Sequence, residues 1–140
     1  MLRLLPAALA HVEAMQGRPF RRRVFIGVYV TPEAFAAANG TGVSGAVGAN
    51  FLGRVILSPS LFSARRARLP AILTHELSHA HLRSWMSELT FIALPNWFKE
   101  GLAVMMQAIL DGRPFAEAVE TGYQTDLEAL WLRFVKSTEE

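Results

Sequence analysis

His75, Glu76 and His79 are the residues of this 140-residue chain best placed to do chemistry together. They form a His-Glu-x-x-His run in a segment whose apolar spacing predicts a helix. On a helix, positions i and i+4 share one face about a turn apart, so the two imidazoles can converge on one metal ion. Glu76 follows the first histidine and can reach the open side of that ion. This is the arrangement that zinc-assisted hydrolysis of an amide bond needs. The ion acidifies a water and polarises the carbonyl, and the carboxylate moves the proton.

A catalytic zinc usually takes three protein ligands and keeps a fourth position open. The chain has no cysteine and only four histidines, so disulfides and thiolate sites are excluded, and histidine or carboxylate must hold any zinc. His81 lies two residues past His79, about 200° round a helix, and points away. Leu82 and Trp85 stand where a glycine and a histidine would extend the motif to its three-histidine form, which is thereby excluded. Glu88 and Glu100 remain. Glu88 sits just past the motif helix, where the chain has little room to fold back. Glu100 is far enough along for helix exit, a connection and an antiparallel return, so it can complete a His₂Glu site from a facing helix.

Half of the chain is hydrophobic and the net charge is +2, which suits one folded domain with a modest core. Arg21-Arg22-Arg23 and Arg65-Arg66-Arg68 are the two basic clusters. Neither is interleaved with aromatics, so both are expected as solvated faces and no nucleic-acid partner is expected. No apolar run is long enough for a membrane span. Met1 to Ala10 imitates a signal peptide only faintly, being short and broken by Pro6. A cytoplasmic protein whose N-terminal helix, Ala7 to Gln16, docks on the domain is therefore expected. Nothing in the residue pattern decides the oligomeric state.

The elements that must position the motif follow from periodicity and punctuation. Val24 to Val30 is β-branched and aromatic and predicts a strand. Thr31-Pro32 caps and starts a short helix, Glu33 to Ala38, which ends at Asn39-Gly40. Gly42 to Gly48 is glycine-rich without the lysine of a phosphate loop, and is expected as a hairpin or bulged strand. Arg54 to Ser58 is a second strand, stopped by Pro59. Pro70 to Arg83 is the motif helix, with Ile72, Leu73, Leu77, Ala80 and Leu82 inward. Leu89 to Leu94 is apolar and closes at Pro95. Asn96 to Leu110 is a long helix ended by Asp111-Gly112, with Met105-Met106 in its core face. Phe115 to Glu120 is a short helix. A capping box, Thr125 to Glu128, starts a last helix to about Lys136.

Strands before helices predict an α+β fold. A small, mainly antiparallel sheet packs on the motif helix and on the glutamate-bearing helix after it, and the C-terminus is helical. One domain spans 1–140, with an N-terminal helix and basic segment (1–23), a sheet region (24–68) and a helical region carrying the site (69–140).

Pro95-Asn96-Trp97-Phe98-Lys99-Glu100-Gly101-Leu102-Ala103 resembles the P-x-W-x-x-E-G-x-A segment of gluzincin metallopeptidases, the thermolysin-like clan. The order of strand, glycine-rich turn, strand and motif helix is similar too. Phe115 to Val119 and Leu127 to Trp131 look like the tail of small bacterial peptidase-MA-like domains. The resemblance covers roughly residues 24 to 135, and its two zinc segments are its specific part. It implies one zinc ion held by His75, His79 and Glu100, with Glu76 as general base, acting on a peptide or protein substrate. It also implies that the Arg54–Ser58 strand, at the sheet edge, pairs with an extended peptide. Trp97 and Phe98 would line the cleft, or Trp97 would pack between the two zinc helices. Two departures stand out. The connection after the E-G-x-A segment is short, leaving Tyr123 as the nearby tyrosine for an oxyanion. Val104 stands where the clan places an aspartate that orients a zinc histidine. These departures keep open a second function class, a catalytically weak or latent domain that binds peptides around a structural zinc. Glu76 argues against it, because a structural site has no need of that carboxylate.

Overall fold

The computed structural model describes residues 3–40, 42 and 45–110. The expected helices at Phe115–Glu120 and from Thr125, the Asp111-Gly112 stop, and Tyr123 lie outside the described residues. What is described is α+β, with five α-helices and one three-stranded sheet. In chain order these are α1 (Leu5–Gln16), β1 (Phe25–Val28), α2 (Pro32–Ala38), β2 (Gly48–Phe51), β3 (Arg54–Leu57), α3 (Leu69–Trp85), α4 (Glu88–Ala93) and α5 (Asn96–Leu110). Two short 3₁₀ turns, Pro59–Phe62 and Arg66–Arg68, lead from β3 into α3.

The sheet is mixed, not mainly antiparallel, and its order is β1-β3-β2. β1 runs parallel to β3, pairing Phe25 with Arg54 through Val28 with Leu57. β2 runs antiparallel to it, pairing Gly48 with Leu57 through Phe51 with Arg54. The parallel pair follows from the connection: the chain leaves β1 through α2, and only such a crossover can bring a strand back in the same direction. Of the Gly42–Gly48 run expected as a hairpin or bulged strand, Val43 and Ser44 lie outside the described residues and Gly48 begins β2. A hairpin joins β2 to β3 at Leu52-Gly53, whose φ values of 49° and 76° suit a two-residue turn with both central residues left-handed. β3 is therefore the central strand and β2 an edge. The strand expected at the sheet edge, Arg54–Ser58, is enclosed on both sides, with Val55, Ile56 and Leu57 buried.

α3 is enclosed on most of its surface, because different faces meet different elements. Ile72, Leu73, Leu77 and Ala80 pack with Val12 of α1 and with Val55 and Leu57 of β3 in one core. Leu82 joins Phe91, Phe98, Leu102, Met105 and Met106 in a second core, beneath α4 and α5. The back of α3 is clamped by residues 16–21. Gln16 Nε2 donates to Ser78 Oγ at 2.7 Å, and the Arg18 carbonyl meets His81 Nε2 at 2.9 Å. Trp85 Nε1 donates to the Pro19 carbonyl at 2.9 Å, with the Arg18 guanidinium over its ring. α1 starts two residues earlier than expected, since Pro6 is tolerated in a first turn. Thr31 caps α2 by accepting from the Ala34 amide, and Ser87 caps α4 by accepting from that of Thr90. Both arginine clusters are exposed, and no described helix is long and apolar enough to cross a membrane.

β2 lies so close to α3 that a side chain at Gly48 has no room. A Cβ there would come within 2.9 Å of both Glu76 Oε1 and Ile72 Cγ2. Gly48→Ala is accordingly expected to destabilise the fold by about 1–3 kcal/mol, the usual scale for overpacking. Denaturant unfolding of the two proteins measures it, and equal midpoints would contradict so tight a contact.

Candidate metal centre

α3 and α5 form the most extensive helix pairing of the fold. On α3, His75 and His79 sit one turn apart with their rings edge to face, centroids 5.1 Å apart. On α5, the apolar stripe Phe98, Leu102, Met105 and Met106 turns toward the core, which leaves Glu100 on the side that faces the histidines. Glu100 Oε2 lies 3.4 Å from His75 Nε2, and its Oε1 lies 3.4 Å from His79 Nε2. Ligand atoms on a tetrahedral ion with bonds of 2.0–2.1 Å are about 3.4 Å apart, so these separations match two edges of such a polyhedron. One atom from each of the three residues falls within 4.8 Å of the other two. Three groups of this kind, nitrogen and oxygen donors only, fit a divalent ion with tetrahedral preference.

Glu88, the other carboxylate weighed as third ligand, is elsewhere: it forms an ion pair with Arg83. His81 points to the back of α3, as its spacing requires, where burial lowers its pKa. His11 is on α1, away from the cleft. Glu76 is 7% exposed and lines the same cavity of about 380 Å³ as the three ligand candidates. The opposite wall is β2, through Gly48, Ala49 and Asn50. Asn50 Nδ2 donates to the Glu76 carbonyl at 3.4 Å, tying the edge strand to the motif turn.

Neither aromatic of the α5 segment lines this cavity. Trp97 is 41% exposed and Phe98 is buried in the second core, whereas Phe91 of α4 supplies the aromatic wall. Arg83 and Lys99 also line the cavity and were not anticipated. The signal for Arg83 was present, since it follows His79 by four residues on the same helical face. Lys99 needed the position of α4. Both histidine Nδ1 atoms are buried without a hydrogen-bond partner among the described residues, and Gln107 of α5 is the further side chain close enough to favour a charge on His75.

The metal-free electrostatics reflect the crowding. Burial works against a charge on His75, yet Glu100, with Glu76 behind it, outweighs burial and holds its pKa above the ordinary 6.5. Burial pushes Glu76 above the usual carboxylate range, with the two imidazoles pulling the other way. Hydrogen bonds from His75 and His79 hold Glu100 well below that range. Comparison with protein-family models, with curated proteins and with solved structures finds no match to this chain.

Two outcomes follow for metal binding. Glu100→Gln should weaken zinc affinity by more than the ~10–100-fold that loss of an outer-shell partner costs. A chelator-competition titration reads this, and an unchanged affinity would remove Glu100 from the ligand set. Protons compete with metal for His75, whose raised pKa keeps it protonated to higher pH than an ordinary histidine. Zinc affinity should therefore fall as pH drops through a window that begins above 6.5, while Glu100 stays ionised throughout. A flat affinity across that window would contradict the assignment.

Proposed function

We propose that this chain is a small zinc metallopeptidase domain of the gluzincin type, cleaving peptide bonds in a peptide or protein substrate. The observation that carries the proposal is the convergence of His75, His79 and Glu100 beside the buried carboxylate of Glu76, in a cleft bounded by an open strand edge. The three residues would hold the ion, which supplies Lewis acidity: it acidifies a water and polarises the scissile carbonyl. Glu76 takes the proton of that water and passes it to the leaving amine. Its burial favours this role, because a carboxylate with a raised pKa holds a transferred proton long enough to deliver it. Among the described residues β2 pairs on one side only, and its other side can align an extended peptide by strand addition. This task falls to Gly48–Phe51 and not to the central strand.

One observation favours a second reading, a zinc-stabilised peptide-binding domain with little turnover. The buried Nδ1 of His79 has no partner among the described residues, so that imidazole lacks the support that raises ligand basicity in efficient zinc enzymes.

Wild type and Glu76→Gln, each assayed for bound zinc and for cleavage of a broad peptide pool, separate the readings. The expected result is one zinc per chain in both proteins, with cleavage in the variant reduced by about 10²–10⁴-fold, the worth of a positioned general base. Zinc in both with cleavage in neither selects the binding domain. Cleavage unaffected by the substitution would sink Glu76 as the base.

A further inference from the structure

The cavity continues past His79, and its far wall holds two cations that the proposed hydrolysis does not use. Arg83 lies one turn beyond His79 on the same face of α3, and Lys99 directly precedes Glu100 on α5. They bracket one ring: Arg83 Cζ is 3.9 Å and Lys99 Nζ 4.9 Å from the Phe91 centroid. Their circumstances differ. Arg83 is paired with Glu88. Lys99 is 9% exposed and has no carboxylate partner among the described residues. Its ammonium makes one hydrogen bond there, to the Phe91 carbonyl at 3.3 Å. An ammonium has three donors. Capping the end of α4 accounts for one donor. The residue also lines the cavity, so the remaining donors have a place to find a partner there.

The course of β2 says which part of a substrate would lie at this wall. Gly48 abuts Ile72 and Glu76, whereas Leu52 and Gly53 share a pocket with Ala80 and Arg83. β2 therefore advances in the same direction as α3. A peptide pairing antiparallel to it would send its N-terminal side toward Arg83 and Lys99. One helical turn past His79 is about 6 Å. An extended chain covers ~3.3–3.6 Å per residue, so one or two residues reach the wall.

We infer that Lys99, with Arg83 beside it, forms a carboxylate-binding subsite. It selects peptides with an acidic side chain one or two residues to the N-terminal side of the scissile bond. This rests on the peptidase reading for the position of that bond. A parallel-running peptide would offer its terminal carboxylate instead, which is the same chemistry from another source.

Calorimetric binding to zinc-loaded Glu76→Gln tests the subsite without turnover. The ligands are acetylated, amidated alanine-based tetrapeptides carrying one Glu or one Gln, and an alanine tetrapeptide with a free terminal carboxylate. The Glu peptide should bind at least about tenfold tighter than the Gln peptide, as a charge-assisted hydrogen bond in a sheltered site provides. Adding Lys99→Met should erase that ratio, whereas Lys99→Arg should keep it, a split that a purely structural role in capping α4 would not produce. Preference for the free terminus over both blocked peptides keeps the subsite and assigns its carboxylate to the chain end. Equal binding of all three ligands, or a Glu preference that survives Lys99→Met, overturns the subsite. Zinc content is read on the same samples. Discrimination of Glu from Gln without bound zinc would keep the subsite while removing the metallopeptidase reading.

Discussion

The structure depends on a partly buried polar cluster held between two apolar cores. α3 meets the sheet and α1 on one side and α4 and α5 on the other, so its intervening face reaches solvent only through the cavity. That face carries His75, Glu76 and His79. Buried polar groups are costly unless partnered, and the cost scales with their charge. Glu100 is what makes the face tolerable, because its two oxygens meet the two Nε2 atoms at 3.4 Å. The α3–α5 pairing is thus held by apolar packing below and by a carboxylate–imidazole cluster above. Those two separations also equal ligand-to-ligand edges of a tetrahedral site.

The helix patterns explain how one pairing serves both purposes. On α5, Phe98, Leu102, Met105 and Met106 repeat at helical spacing and sink into the second core. Glu100 lies between the first two members of that stripe and is rotated out of it. Lys99 sits between the stripe and the cleft, its ammonium against the ring and carbonyl of Phe91. The same division applies on α3, where Leu73, Leu77 and Ala80 anchor the core while His75, His79 and Arg83 form the cleft stripe. The clamp from residues 16–21 matters here because it fixes the rotation of α3 about its own axis. Gln16, Arg18 and Pro19 each meet a residue one face away from the ligands.

The parts of this arrangement legible from residue order are those set by local geometry. The i, i+4 relation of His75 and His79 holds on any helix, and the breaks at Pro95 and Asn96 place α5 to within a residue. Glu100 stood out because the stretch between it and His79 is long enough for a helix exit, a connection and an antiparallel return. The sheet was harder. Gly-Ala-Asn-Phe has no β-branched residue, and Leu52-Gly53 lacks the Asn-Gly signature of its turn, so β2 gave no local sign of itself. That omission made β3 look like an edge and hid the parallel pairing with β1, which depends on residues far apart in the chain. Trp97 failed for a different reason. Aromatics near a site are expected to pack, but position 97 falls beside the buried stripe and stays partly in solvent.

Gly48 links the edge strand to the carboxylate. Backbone without a side chain lets β2 approach α3 until Glu76 is almost enclosed, and that enclosure pushes the Glu76 pKa upward. The same approach makes Gly48, Ala49 and Asn50 of β2 a wall of the cavity. A larger residue at this position would widen the gap, admit water to the carboxylate and move β2 away from the histidines in a single displacement. The protonation behaviour of Glu76 and the position of β2 are therefore not independent properties of this cleft. Both follow from how closely one glycine lets a strand approach a helix.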